Sequence, residues 1–83
     1  MVERIEVRLR DTIATFDGTV FELFDIGLAG SARHHVALIG SLEIRDSSLW
    51  LTCQDTSIMS WPFDDGRRAR VEQLVAAVTA ARP

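Results

Sequence analysis

Apolar and polar residues alternate with a period of two in several short segments of the first 63 residues, and short apolar or β-branched runs lie between them. The clearest run extends from Glu3 to Arg10, where Ile5, Val7 and Leu9 alternate with charged side chains. A period of two is typical of a half-buried β-strand, because successive side chains point to opposite faces of a sheet. The pattern predicts about seven short strands, over residues 3–10, 12–16, 19–24, 34–39, 41–45, 48–53 and 57–63.

Short turn-forming motifs separate these predicted strands. Asp17-Gly18 predicts a type I′ hairpin turn, in which both central residues need positive φ. Gly40 follows an apolar run, so we expect one strand to break there. Residues 25–32 contain two glycines and predict a loop, but the strand-like run after them argues against a phosphate-binding loop. Pro62 has no backbone N–H and therefore marks an edge position or the end of a strand.

The period changes to that of a helix after Asp64. Asp64 or Asp65 is a good N-cap, and both carboxylates complement the positive end of a helix. The spacing predicts a helix over residues 65–82. Its apolar stripe consists of Val71, Leu74, Val75, Val78 and Ala81. The predicted fold class is therefore α+β: about seven short antiparallel strands that form a barrel or sandwich, capped by one C-terminal amphipathic helix.

Composition narrows the class of protein. The 83 residues are enough for one domain, over residues 1–83, and the 47% hydrophobic and 25% charged fractions are those of an ordinary globular protein. A net charge of −3 argues against a nucleic-acid partner. No apolar run reaches the length of a membrane span, and the N-terminus lacks the apolar stretch of a signal peptide, so we expect a cytoplasmic protein. The single cysteine, Cys53, excludes an internal disulfide and a CxxC metal site.

Three stretches of sequence carry a resemblance to a known family. They are residues 15–19 (Thr-Phe-Asp-Gly-Thr), 33–39 (Arg-His-His-Val-Ala-Leu-Ile) and 58–65 (Ile-Met-Ser-Trp-Pro-Phe-Asp-Asp). Seven strands followed by one helix is also the element order of the pleckstrin-homology (PH) superfold. The chain thus resembles the small PH-like domains of bacteria, which implies a PH-like barrel or sandwich used for binding or self-assembly rather than catalysis. A different small β-barrel, or a curved sheet packed by one helix, is the alternative.

Arginine residues suggest an alternative role in binding anions. PH domains that bind phosphoinositides use basic residues around the first strand–strand loop, and Arg8 and Arg10 lie at that place. With Arg33 they form the candidate anion-binding set, which would give salt-sensitive binding to anionic lipid headgroups or ligands. The chain departs from the phosphoinositide-binding pattern, because Asp11 occupies the short loop and residues 12–16 contain no basic residue.

Trp50 is the candidate for contact with a protein partner. If Leu49, Leu51 and Cys53 face the core, Trp50 faces outward, and tryptophan is enriched in interface hot spots. The opposite assignment would expose two leucines, so either assignment indicates association. Glu43 and Arg45 on the preceding strand are predicted to contribute to the same surface.

The histidines are the remaining candidates for chemistry. His34 and His35 are adjacent, so on a strand they point to opposite faces and do not ligate one metal together. We expect one to pack inward and the other to be solvated. No nucleophile motif is present, so we expect no catalytic residues, no metal and no cofactor.

The sequence therefore predicts a non-enzymatic protein-interaction or self-assembly module, with a homo-oligomer or another protein as partner. An anionic-ligand or lipid-headgroup module is the alternative, and peripheral membrane contact is not favoured.

Overall fold

The computed structural model describes residues 4–25 and 31–82. In chain order they form β1 (Ile5–Arg8), β2 (Thr12–Phe16), β3 (Val20–Asp25), β4 (Ser31–His35), a 3₁₀ turn (Val36–Leu38), β5 (Ile39–Arg45), β6 (Ser48–Cys53), β7 (Ile58–Pro62), a second 3₁₀ turn (Asp65–Arg67) and α1 (Arg68–Ala81). The predicted α+β class is confirmed. The middle of the loop predicted over residues 25–32 lies outside the described residues, and its two ends belong to β3 and β4.

The strands are divided between two antiparallel sheets. One sheet has the order β1-β2-β3-β4, and the other has the order β5-β6-β7. No strand of one sheet pairs with a strand of the other among the described residues, so the strands do not close into a barrel.

The prediction for residues 34–40 is wrong in two respects. The chain does not stay extended through Val36, because Val36–Leu38 forms a 3₁₀ turn that leads from the first sheet to the second. His35 Nδ1 accepts a hydrogen bond from the backbone N–H of Ala37 at 3.1 Å and so caps that turn. Nor does Gly40 end a strand: β5 continues through it with a register shift. A Cβ at Gly40 would lie 3.0 Å from the carbonyl oxygen of Thr52, so glycine allows β5 to approach β6 closely there.

The hairpin at Asp17-Gly18 forms, but its turn is not type I′. Phe16 pairs with Phe21 across β2 and β3, so the connection is short as predicted. Gly18 has positive φ (101°) and Asp17 does not, whereas type I′ needs positive φ at both central residues. Instead, the Asp17 carboxylate accepts hydrogen bonds from the backbone N–H groups of Thr19 (2.9 Å) and Val20 (2.8 Å). Those bonds lower the pKa of Asp17, that from Val20 most.

One hydrophobic core fills the space between the two sheets and α1. Phe21 and Trp61 link the sheets, with ring centroids 6.5 Å apart at an interplanar angle of 75°. Such edge-to-face contacts are favourable for aromatic pairs. The helix buries Val71, Leu74 and Val78, which confirms the predicted apolar stripe.

The helix begins later than predicted, and neither aspartate caps it. A 3₁₀ turn occupies Asp65–Arg67, and the N-cap of α1 is Arg67, without a side-chain capping bond. The Asp64 carboxylate instead lies 3.3 Å from Nε of Arg10 in an ion pair. That ion pair ties the β1–β2 connection to the segment between β7 and the helix.

Candidate interaction surface

The outer face of the three-stranded sheet is the surface that we call the interaction face. Leu49 and Leu51 of β6 are fully buried, so the alternate residues of that strand point away from the core. The pairing of β5 and β7 with β6 then assigns the outward positions of all three strands. The interaction face consists of Ser41, Glu43, Arg45, Ser48, Trp50, Thr52, Ile58, Ser60 and Pro62.

Trp50 lies at the centre of this face. Glu43 is its direct neighbour on β5, and Ser60 is its neighbour on β7. The Arg45 guanidinium lies 5.1 Å from the centroid of the Trp50 ring, in a cation–π contact, and it also pairs with the Glu43 carboxylate. Trp50 is therefore half-buried rather than fully exposed, because its own chain covers part of the ring.

The structure thus brings together the three residues predicted for partner contact. Trp50 points outward, which is one of the two assignments that the sequence left open, because Leu49 and Leu51 face the core. The contact of Arg45 with the ring holds the guanidinium in place, an arrangement that contributes about 0.5–1 kcal/mol at exposed sites. Whether these residues bind a partner stays a prediction.

The sequence reasoning missed the part of this face that lies on β7, which includes Ile58 and Ser60. Ile58 is 61% exposed and lies on β7, at the edge of the sheet. Ser60 follows it on the same face and is also exposed. Residues 57–63 contain no charged side chain, but neither do residues 12–16 and 48–53, so the sequence does not single them out. The lack of charge matters because the structure places β7 at an edge. Natural edge strands commonly carry charges that prevent pairing with another chain.

The three arginines of the candidate anion-binding set do not form one cluster. Arg8 on β1 and Arg33 on β4 belong to opposite edge strands of the four-stranded sheet, about 14 Å apart at the usual strand spacing. Arg33 pairs with Glu22 at 3.4 Å, and Arg10 pairs with Asp64 at 3.3 Å. Two of the three charges are thus already balanced by a carboxylate within the chain. Anion binding by these residues stays a prediction.

His34 and His35 point in different directions, as the sequence predicted. His35 is exposed and caps the first 3₁₀ turn. His34 is half-buried, its Nε2 atom has no hydrogen-bond partner, and its Nδ1 atom lies 3.8 Å from Sγ of Cys53. Both His34 and Cys53 line a cavity of about 300 Å³ between β4 and β7.

The thiol in this cavity is not activated. Burial raises the pKa of Cys53 above its ordinary value, and the nearby Asp55 carboxylate raises it further. Hydrogen bonds from Ser57, the side chain first and then the backbone N–H, lower the pKa of Asp55. A thiol of raised pKa is a poor nucleophile at neutral pH, because the thiolate is the reactive form.

Two other concave regions adjoin α1. A groove of about 550 Å³ lies between β5 and α1, and Ile44, Val75 and Ala80 are among the residues that line it. A cleft of about 400 Å³ lies between Arg4 and Arg70, beside Ile5.

Within residues 4–25 and 31–82, no group of three or more His, Cys, Asp or Glu side chains is arranged to hold a metal ion. None of the helices in the same residues is long and apolar enough to cross a membrane.

Comparisons with protein-family models, with curated proteins and with solved structures found no match to this chain. The resemblance to PH-like domains therefore stays a prediction.

Proposed function

We propose that the chain is a non-enzymatic protein-interaction module of the cytoplasm that acts by self-association, with the interaction face as its contact surface. The position of Trp50 supports this proposal most directly. A large aromatic side chain at the centre of an outward sheet face, beside an arginine, has the composition of an interface hot spot. Arg45 and Glu43 flank the ring on the β5 side, whereas its direct neighbour on β7 is the small Ser60, so a partner can approach from the β7 side without displacing a bulky side chain.

A PH-like fold is part of the same proposal. Seven strands followed by one C-terminal helix is the element order on which the resemblance rests, and a core between two sheets and the helix is compatible with it. The proposal of self-association does not depend on this fold assignment, because a fold alone does not determine function.

The ion pairs of Arg10 and Arg33 favour this function over binding of an anionic ligand. An anion would have to compete with Asp64 and Glu22 for these guanidinium groups. Arg8 and Arg33 lie on opposite edge strands of the four-stranded sheet rather than side by side.

Light scattering over a dilution series tests the proposal. We expect the wild-type chain to form a dimer or larger species that dissociates on dilution. Trp50→Ala should weaken association about 10-fold or more, as expected for a hot-spot tryptophan, and leave the monomer folded. Arg8→Ala is the matched control, because Arg8 is exposed on β1 of the other sheet, and it should associate like the wild type.

Two results would contradict the proposal. One is a wild-type chain that stays monomeric at every concentration. The other is a Trp50→Ala variant that associates as tightly as the wild type and the Arg8→Ala control.

A further inference from the structure

The two sheets have four edge strands, and three of them are covered or charged. The side chain of Arg70 in α1 donates to the carbonyl oxygen of Glu6 at 3.0 Å and so occupies the edge of β1. The edge of β5 is covered at one end, where α1 packs on Leu42 (4% exposed) and Arg82, just after α1, donates to the carbonyl oxygen of Ile39 at 3.2 Å. At its other end, beside the groove next to α1, β5 carries the charged side chains of Glu43 and Arg45. The edge of β4 carries the exposed charge of Arg33.

The remaining edge, β7, is open and uncharged. Its backbone hydrogen bonds can be assigned from the hairpin, because the N–H of Cys53 donates to the carbonyl oxygen of Ser57 at 2.9 Å. Hydrogen-bonded pairs alternate along an antiparallel ladder, so the backbone groups of Met59 and Trp61 point to β6. Those of Ile58, Ser60 and Pro62 therefore point away from the sheet.

Contacts at Pro62 agree with this assignment. Its carbonyl oxygen accepts a hydrogen bond from the backbone N–H of Arg10 at 3.2 Å, on the side away from β6. Ile58 and Ser60 are exposed and are left with outward-pointing N–H and C=O groups. An exposed edge strand that carries an apolar side chain and no charge is a template for pairing with another strand.

We propose that β7 of one chain pairs antiparallel with β7 of a second copy, with Met59 on the two-fold axis. This inference rests on the proposed function of self-association and identifies the surface that performs it. In this register Ile58 lies opposite Ser60 of the second copy, and Ser60 lies opposite its Ile58. The outward N–H and C=O groups of both residues are then all paired. The three-stranded sheet of one copy and that of the other become one sheet of six strands.

The other registers pair fewer groups. A register centred on Ser60 places Ile58 opposite Pro62, which has no N–H and whose carbonyl oxygen already binds Arg10. A register centred on Ile58 places Ser60 opposite Thr56, which lies in the turn before β7. Centring on Met59 is the arrangement that uses the two open residues and no others.

Side chains on the interaction face fit the same register. Trp50, Ser60 and Ile58 of the second copy lie in one row across three neighbouring strands, so Trp50 and that Ile58 are about 10 Å apart at Cα. The small Ser60 side chain between them leaves room for the indole and the isoleucine to meet above it. The contact occurs twice by symmetry. It covers the side chain of Ile58, which is 61% exposed in the single chain.

The first test introduces a charge at the edge. Ile58→Lys should shift a concentrated sample to monomer in analytical ultracentrifugation, with an unchanged circular dichroism spectrum, because Ile58 is exposed and the lysine meets water in the monomer. Leu38→Lys is the matched control, since Leu38 is 60% exposed but lies outside β7. The control should associate like the wild type. Equal loss of association in both variants would show general apolar contact and overturn the proposal.

The second test reads the register. With Cys53→Ser as background, Met59→Cys places two thiols on the axis, at a non-hydrogen-bonded pair where Cα atoms are about 4.5 Å apart, within disulfide range. Mild oxidation should cross-link this variant into a dimer on a non-reducing gel. Ser60→Cys in the same background should cross-link far less, because its partner position is Ile58.

The outcomes separate this inference from the proposed function. If the wild type associates and Ile58→Lys associates equally well, the β7 register is overturned and self-association stands. The same holds if the Ser60→Cys variant cross-links and the Met59→Cys variant does not. If the wild type is monomeric at every concentration and the Met59→Cys variant does not cross-link, both the β7 register and the proposed self-association are overturned. Pairing of β7 with an added extended peptide in the absence of any dimer would also overturn the choice of a second copy as occupant.

Discussion

Thr56 has the least favourable backbone conformation among the described residues. It closes the turn between β6 and β7 and has a φ of 72°, in the left-handed region. A β-branched residue is rare there, because its Cβ crowds the backbone, at a cost of roughly 1–2 kcal/mol. Thr56→Gly removes this crowding and keeps the hydrogen bond from the backbone N–H of residue 56 to the carbonyl oxygen of Cys53.

The expected gain in unfolding free energy is about 1 kcal/mol. The relief of 1–2 kcal/mol is partly offset by the greater freedom of glycine in the unfolded chain, which costs about 0.4–1 kcal/mol. In a chain of this size, a gain of about 1 kcal/mol raises Tm by roughly 4–8 °C. Urea denaturation and thermal melts at low protein concentration measure the stability of the monomer alone.

A matched control applies the same substitution to extended backbone. Thr52→Gly in β6 should lower the unfolding free energy by about 0.5–1 kcal/mol, because glycine weakens a strand. If Thr56→Gly lowers stability as Thr52→Gly does, the turn does not impose the left-handed conformation on Thr56, and the reasoning is refuted.

Two further predictions concern ionisable groups. Because its hydrogen bonds hold the folded-state pKa of Asp17 below the ordinary value of 3.8, its contribution to stability is present above that value and is lost as pH falls through the folded-state pKa. Asp17→Asn should therefore have a shallower fall in Tm than the wild type between about pH 5 and pH 2, and parallel curves would contradict this. Cys53 should react with iodoacetamide at pH ~8 more slowly in the folded chain than in urea, since burial raises its pKa, and equal rates would show an accessible, unshifted thiol.

Strand positions were predictable because they depend on local alternation. Each of the seven predicted segments overlaps an observed strand, although the segment over residues 34–39 merges the end of β4 with a 3₁₀ turn. The same alternation left two directions open for Trp50, and the burial of Leu49 and Leu51 shows that it points outward. The turn at Val36 was not predictable from periodicity, since its cap depends on the rotamer of the His35 ring.

Features set by distant parts of the chain were also missed. Asp64 and Asp65 are good helix caps by residue type, but Arg10 attracts the Asp64 carboxylate from 54 positions away. The edge position of β7 depends on the order of strands in the sheet, which no local pattern specifies. Residues 57–63 lack charge, but so do residues 12–16 and 48–53, which form inner strands, so charge alone does not identify the edge.

The cover that α1 provides along β1 and β5 limits how many copies can join. A chain with two open edges joins neighbours on both sides, and repeated addition gives a fibre of unlimited length. A chain with a single open edge uses it once, and the pair that results offers no further edge. In the proposed dimer β7 is used once, and the edges that remain are those of β1 and β5, which α1 and Arg82 contact, and that of β4, which carries Arg33. The proposed two-fold dimer would therefore leave no uncharged open edge for a further copy.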